Sequence, residues 1–166
     1  MVQNTGIVVP TTAIRAGENI VLPFIAEGAI TPGNLVKKGT ADNQVLVAAT
    51  TDKDILGVAD LNWNALDAGG VETAAYSAGQ RVDVICAGFV KCLADTGAVT
   101  CGKRVKIGPT TGTKVQDVAY TAPPAADTYN TATMTAAMLD RDQCIGRAYL
   151  SAASGAYTVV LLWAGS

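Results

Sequence analysis

The segment Gly28–Gly39, GAITPGNLVKKG, returns later in the chain as Gly97–Gly108, GAVTCGKRVKIG. Gly28, Ala29, Thr31, Gly33, Val36, Lys37 and Gly39 recur as Gly97, Ala98, Thr100, Gly102, Val105, Lys106 and Gly108, and Ile30 answers Val99. Two further segments repeat in the same order. DKDILGVA (Asp52–Ala59) answers RDQCIGRA (Arg141–Ala148), and VDVICAG (Val82–Gly88) answers VVLLWAG (Val159–Gly165). A generic strand-turn pattern could produce any one of these matches. Three in one order point to duplication of a supersecondary unit, with copies at 28–88 and 97–165.

Each copy has readable local physics. Pro32 presets φ at the first corner of a turn and Gly33 accepts the positive φ of the second; in the later copy Cys101 takes the proline's place, which keeps the turn but relaxes it. VKKG and VKIG alternate an inward Val with an outward Lys, the pattern of a half-buried strand. ILGVA and CIGRA look like strands interrupted by a glycine, where a bulge or a close backbone approach is expected. RVDVICAG and YTVVLLWAG are the strongest strand signals, and the second carries too much apolar surface, Trp163 included, to hang free of a sheet. The 166 residues are 49% hydrophobic and 16% charged, enough to fill a core, and the 17 glycines and 6 prolines argue against long helices.

The expectation is an all-β fold: a compact barrel or sandwich built from the duplicated unit, closed or stacked so that few strand edges stay free. Two segments stand outside it. Residues 1–13 form an N-terminal arm before a single β domain at 14–166. Residues 119–140, AYTAPPAADTYNTATMTAAMLD, form a long loop insertion in the second copy, where the first has a short link. Pro123-Pro124 excludes mid-strand or mid-helix placement there. TATMTAAMLD can form one or two helical turns with Met134, Met138 and Leu139 on one side.

Chemistry is scarce. The chain has no histidine, which excludes Ser-His-Asp and Cys-His catalysis. Its carboxylates are scattered through turns (Asp42, Asp52, Asp54, Asp95, Asp117), with no pair spaced to share a site. GPTTGTK (Gly108–Lys114) resembles a phosphate loop, but its glycines are one residue too close and Thr113 intervenes, so a hairpin turn explains it. DKD (Asp52–Asp54) reads as a solvated turn rather than a calcium site. Cys86, Cys92, Cys101 and Cys144 include no CxxC pair, so no metal site is expected. Cys92 and Cys101 flank the turn LADTGAVT and could face each other across it; cytoplasmic chemistry favours free thiols. No catalytic, metal or cofactor site is expected, and no enzyme.

The net charge of −2 comes without any lysine/arginine block, which argues against binding nucleic acid through its phosphates. Apolar stretches are too short to cross a bilayer. MVQNTGIVVPTTAIRAG has neither the basic start nor the sustained apolar run of a signal peptide, so synthesis and retention in a cytoplasm are expected.

The order GAITPGNLV, DILGVA, AGQRVDVICAGFV, GAVTCGKRV, IGRA and a terminal VVLLW resembles the head-decoration, or capsid cement, proteins of tailed double-stranded DNA phages, over about Ile20 to Trp163. The insertion at 119–140 and the tryptophans Trp63 and Trp163 depart from that pattern. The resemblance implies a virion structural protein that binds the outer surface of the expanded capsid. It would bridge major capsid subunits and stabilise the head, commonly as a homotrimer, without catalysing anything. Another virion or surface fibre component, an adhesion module and a small-ligand β-barrel are the other classes left open.

Two segments are candidates for contact with the capsid or with another subunit. In the arm, Ile7, Val8, Val9 and Pro10 form an apolar, β-prone patch that a proline stops, suited to adding a strand to a neighbour. Ile7–Val9 reads equally well as the first barrel strand. In the insertion, Tyr129 and Met134 are the candidates, with a solvated loop as the other reading.

Overall fold

The computed structural model describes residues 14–63, 65, 74–119 and 143–163. They form nine strands: β1 (Arg15–Ala26), β2 (Leu35–Lys38), β3 (Gln44–Val47), β4 (Ile55–Ala59), β5 (Arg81–Leu93), β6 (Arg104–Ile107), β7 (Val115–Asp117), β8 (Cys144–Ala148) and β9 (Tyr157–Leu162). No helix occurs among the described residues. The fold is all-β, as the turn-rich, helix-poor composition requires.

The strand order β1-β3-β2-β4-β5, with β1 also paired to β5, is a closed ring of five strands. The order β5-β9-β8-β6-β7 makes a second ring, which a parallel bridge between Ala94 and Val115 brings back to the end of β5. Two small barrels therefore share one long strand. The first half of β5 is the last strand of the first barrel, and its second half is the first strand of the next.

The duplication extends to individual backbone hydrogen bonds. Ala26 N–H donates to Gln80 O and Ala94 N–H to Ala156 O. Glu27 N–H donates to Val45 O and Asp95 N–H to Val115 O. Gly33 N–H donates to Ala59 O and Gly102 N–H to Ala148 O, with φ of 87° and 84° at the two glycines, the left-handed corner that the TPG and TCG turns demand. The bulge expected at the interrupted strands is present in both copies, between Val36 and Lys37 opposite β4 and between Val105 and Lys106 opposite β8.

One anchor shifts. The resemblance of VDVICAG to VVLLWAG aligns Val82 with Val159, but the ladders align Val82 with Thr158. Ala59 pairs with Val84 and Ala148 with Val160, while Val58 pairs with Ile85 and Arg147 with Leu161. The common Ala-Gly ending misled the alignment by one residue, and in a strand one residue reverses every side chain. The terminal strand is tied in as its apolar content required: β9 lies between β5 and β8. GPTTGTK is the turn of the β6–β7 hairpin.

Side chains fill the interior of the first barrel: Ala26, Ile30, Val36, Val45, Ala59, Tyr76, Val82 and Val84 are all buried in one cluster. Fully burying a Val or Ile of this kind contributes about 1.5–3 kcal/mol. Its outer face carries a second apolar set. Leu35 pairs with Val58, Val58 with Ile85 and Ile85 with Val21, giving one cross-strand row over four strands. Leu35, Val58 and Ile85 are buried in the same cluster as Val90, Ile145 and Leu162 of the second barrel, with Val21 packed against it. This row joins the two barrels. Gln143 adds polar ties, its Nε2 donating to Thr50 O at 2.9 Å and Asp52 O at 3.3 Å.

The carboxylate of Asp60, wholly buried, is held by the Arg15 guanidinium, which joins β1 to the loop after β4. Tyr76 Oη donates beside it to Leu61 O at 2.8 Å. Burial and the nearby Asp60 and Asp83 carboxylates push the Tyr76 phenol up to about 12, so it stays a donor at any ordinary pH.

Candidate functional site: the outer face of the second barrel

In the second barrel, Val90, Cys92, Thr158, Val160 and Leu162 are buried, and alternation along the strands sends their neighbours to the outer face. Those neighbours pair in rungs: Phe89 with Leu161, Lys91 with Val159, and Leu93 with Tyr157. Tyr149 and Leu150, just past β8, lie against the middle rung, their N–H groups donating to Val159 O at 2.7 and 3.4 Å. The Tyr149 ring meets the Phe89 ring edge to face, with centroids 5.3 Å apart, a geometry worth about 0.5–1.5 kcal/mol beyond area burial. Gly17 on β1 supplies space for Phe89; a Cβ there would lie 3.1 Å from the ring.

The middle rung of this face is covered, Lys91 and Val159 being buried, and the residues around it are apolar and open to solvent. Tyr149 is 47% exposed, Tyr157 57%, Leu150 37% and Leu161 37%, which gathers four of the exposed large hydrophobic residues on one side of one barrel. These four are clustered rather than scattered singly as exposed apolar residues usually are. Lys91 lies within it, its ammonium 4.2 Å from the Tyr157 ring centroid. Burial lowers the Lys91 pKa from its ordinary value.

The first barrel provides an internal control. Where the second has Tyr157, Val159 and Tyr149, the ladder-equivalent residues of the first are Arg81, Asp83 and Asp60. Arg81 and Asp83 form an ion pair at 3.2 Å, and Asp60 is bound to Arg15. At these three positions the same backbone carries charged residues in one copy and two tyrosines and a valine in the other, so the scaffold does not dictate the tyrosines.

Ile7, Val8, Val9 and Pro10 of the arm, and Tyr129 and Met134 of the insertion, lie outside the described residues. The first ring is complete with strands from Arg15 onward. In the chain, residues 119–140 fall between β7 and β8, a connection that runs only from Ala48 to Asp54 in the first copy. Sequence reasoning did not find Phe89, Tyr149, Tyr157 and Leu161. The signal was present in the differences between the copies, such as Arg81 against Tyr157, and the one-residue slip at the third anchor concealed them.

The four cysteines are free thiols. Cys92 is buried, while Cys101 is exposed beside the aromatic face, its Sγ 3.0 Å from Tyr149 O, so the pair does not bridge the turn between them. The Asp52 carboxylate of the DKD turn accepts from Lys37 Nζ at 2.9 Å and Ala49 N–H at 2.5 Å.

Residues 2–155 match the family described as XM1 gp53 minor capsid protein. No curated protein sequence matches the chain. Among solved structures, the N base of head fibre gp8.5 from bacteriophage phi29 is similar, with 12% sequence identity and a TM-score of 0.47, over 88% of this chain and 95% of that one.

Proposed function

The chain belongs to the XM1 gp53 minor capsid protein family, and from that membership we propose that it binds the outer surface of the expanded phage head and stabilises it by bridging major capsid subunits. The supporting observation in the fold is the exposed cluster Tyr149, Leu150, Tyr157 and Leu161 on the second barrel, where Asp60 and Arg81 stand at the two tyrosines' places in the first. Adhesion needs no chemistry beyond that face. Two closed barrels present few free strand edges, so association through the arm or this face is selected over indiscriminate pairing of edges. A contact of about 1,000 Å² is enough when the lattice presents many adjoining sites.

An arm at 1–13 precedes a β domain at 14–166, which carries an insertion at 119–140. The arm residues Ile7, Val8, Val9 and Pro10 add a strand to the capsid or to a neighbouring copy, and Tyr129 and Met134 lie at the same contact. Assembly on the head is as a homotrimer, and the protein is not an enzyme. The chain is made in the host cytoplasm and carried in the virion.

The test is to mix the purified protein with expanded heads that lack it, then measure co-sedimentation and the temperature at which the heads rupture. Co-sedimentation with a higher rupture temperature is expected. Protein that stays in the supernatant contradicts the proposal. Deleting residues 1–10 is expected to leave a folded chain that no longer sediments with heads; loss of folding refutes the arm's role.

A further inference from the structure

The row that joins the two barrels has an equivalent on the far side of the second. Leu35–Val58–Ile85–Val21 in the first barrel corresponds rung for rung to Arg104–Arg147–Leu161–Phe89 in the second. Arg104 pairs with Arg147, Arg147 with Leu161, and Leu161 with Phe89. In the first barrel this row is covered by protein. In the second it is open: Arg104 and Arg147 are exposed, Leu161 is 37% exposed, and Phe89 is half-buried against Tyr149.

Two features separate this row from an ordinary solvated face. Like charges directly opposite on neighbouring strands repel, so Arg104 opposite Arg147 is unfavourable in the isolated chain. Arg147 Nη1 donates to Gly102 O at 2.9 Å, and neither guanidinium forms a salt bridge with a carboxylate among the described residues. The other half of the row is apolar and aromatic. A surface with paired guanidiniums at one end and Leu161 with Phe89 at the other fits a partner with carboxylates beside an apolar patch. Arginine forks bind carboxylates bidentately, and such contacts are stronger than neutral hydrogen bonds.

We propose that the row Arg104–Arg147–Leu161–Phe89 is the docking row for an acidic, apolar-centred surface of the capsid, used as the chain already uses its first row between its own barrels. This rests on the reading of the chain as a capsid-binding protein. Carboxylates on the partner neutralise the arginine pair, and Leu161 with Phe89 supplies the buried centre.

The experiment compares wild type, R104E/R147E and R104K/R147K in co-sedimentation with expanded heads lacking this chain, at low and high salt. Circular dichroism and thermal melting check that each is folded. The expected result is binding by wild type that weakens with salt, a loss of at least about tenfold in affinity for R104E/R147E, and a smaller loss for R104K/R147K, whose amines cannot make the bidentate fork. Wild type that binds while R104E/R147E binds equally overturns the docking row and leaves the capsid reading standing. Wild type that does not bind overturns both. Self-association of wild type that R104E/R147E abolishes, with head binding unchanged, assigns the row to a second copy and overturns the capsid as its occupant.

Discussion

The α-carbon of Gly57 sits against the carbonyl of Ile85, so close that a Cβ on Gly57 would collide with that oxygen. Gly146 stands in the same relation to Leu161, and the next obstacles are also equivalent, Cγ1 of Val84 and Cγ1 of Val160. Each glycine adjoins the bulged residue of its own strand, Leu56 or Ile145, and only a residue without a side chain fits against the neighbouring carbonyl. Gly57→Ala and Gly146→Ala are each expected to cost about 1–3 kcal/mol. Thermal melting checks this; for a chain of this size each kcal/mol lowers Tm by about 2–4 °C. Unchanged melting in both variants would contradict the close approach.

Val58 and Arg147 hold equivalent places, one buried between the barrels and the other in solvent. Val58→Arg places an unpaired charge in the joint and is expected to cost more than about 3 kcal/mol. Arg147→Val is expected to change stability by less than about 0.5 kcal/mol, since it alters an exposed side chain. Urea unfolding of the two variants reads this asymmetry, and equal effects would contradict the assignment of the row as the joint.

Acid is expected to destabilise the protein. Thr40, through its hydroxyl and then its N–H, lowers the Glu27 pKa below its ordinary 4.5. Lys38, by hydrogen bond and charge, lowers Asp42 below its ordinary 3.8. Burial raises Asp52, but the Ala49 N–H and the Lys37 ammonium outweigh it, so that carboxyl is also lowered. Near and below pH 4.5 the unfolded chain then binds more protons than the folded one, so stability rises with pH there. The contribution is complete above the ordinary carboxyl range and is lost as pH falls through the lowered folded values. Urea midpoints measured from pH 7 to pH 3 are expected to fall, and Asp52→Asn is expected to flatten the acid limb. Midpoints that rise on acidification would contradict the assignment.

Thiol chemistry follows burial. Cys101 is exposed, while Cys86, Cys92 and Cys144 are buried. Burial pushes the Cys92 thiol up to about 12 and raises Cys86 as well. Since the thiolate is the reactive form, a thiol reagent at pH 8 is expected to modify one cysteine per folded chain quickly, and peptide mass spectrometry is expected to identify it as Cys101. Rapid modification of all four would mean that the barrels open.

The turns were the most legible part of the sequence. TPG and TCG demand a positive φ at one residue, and Gly33 and Gly102 supply it. The glycines of ILGVA and CIGRA announced a bulge or close approach, and both bulges are present. Closure was not legible, because period-two alternation is the same in a sandwich and in a barrel. The pairings that close the rings join residues far apart in the chain, such as Ile25 with Arg81 and Ala94 with Val115. The sharing of β5 left no mark either, since Ala26 and Ala94 are equivalent while little else in β1 resembles the second half of β5. The aromatic face was legible only as a difference between copies, which required the correct register first. Arg81 opposite Tyr157 in the alignment has meaning only once Val84 is matched to Val160.

The central claim is that this chain attaches to the outside of the head through a rigid double barrel. Electron cryomicroscopy of expanded heads with and without the protein tests it most directly. The account predicts difference density on the outer capsid surface, at sites that span neighbouring major capsid subunits. Into it two fused five-stranded barrels fit, with the β5–β9 face of the second barrel toward the shell. Difference density confined to the portal, the tail or the interior, or none on saturated heads, would contradict it.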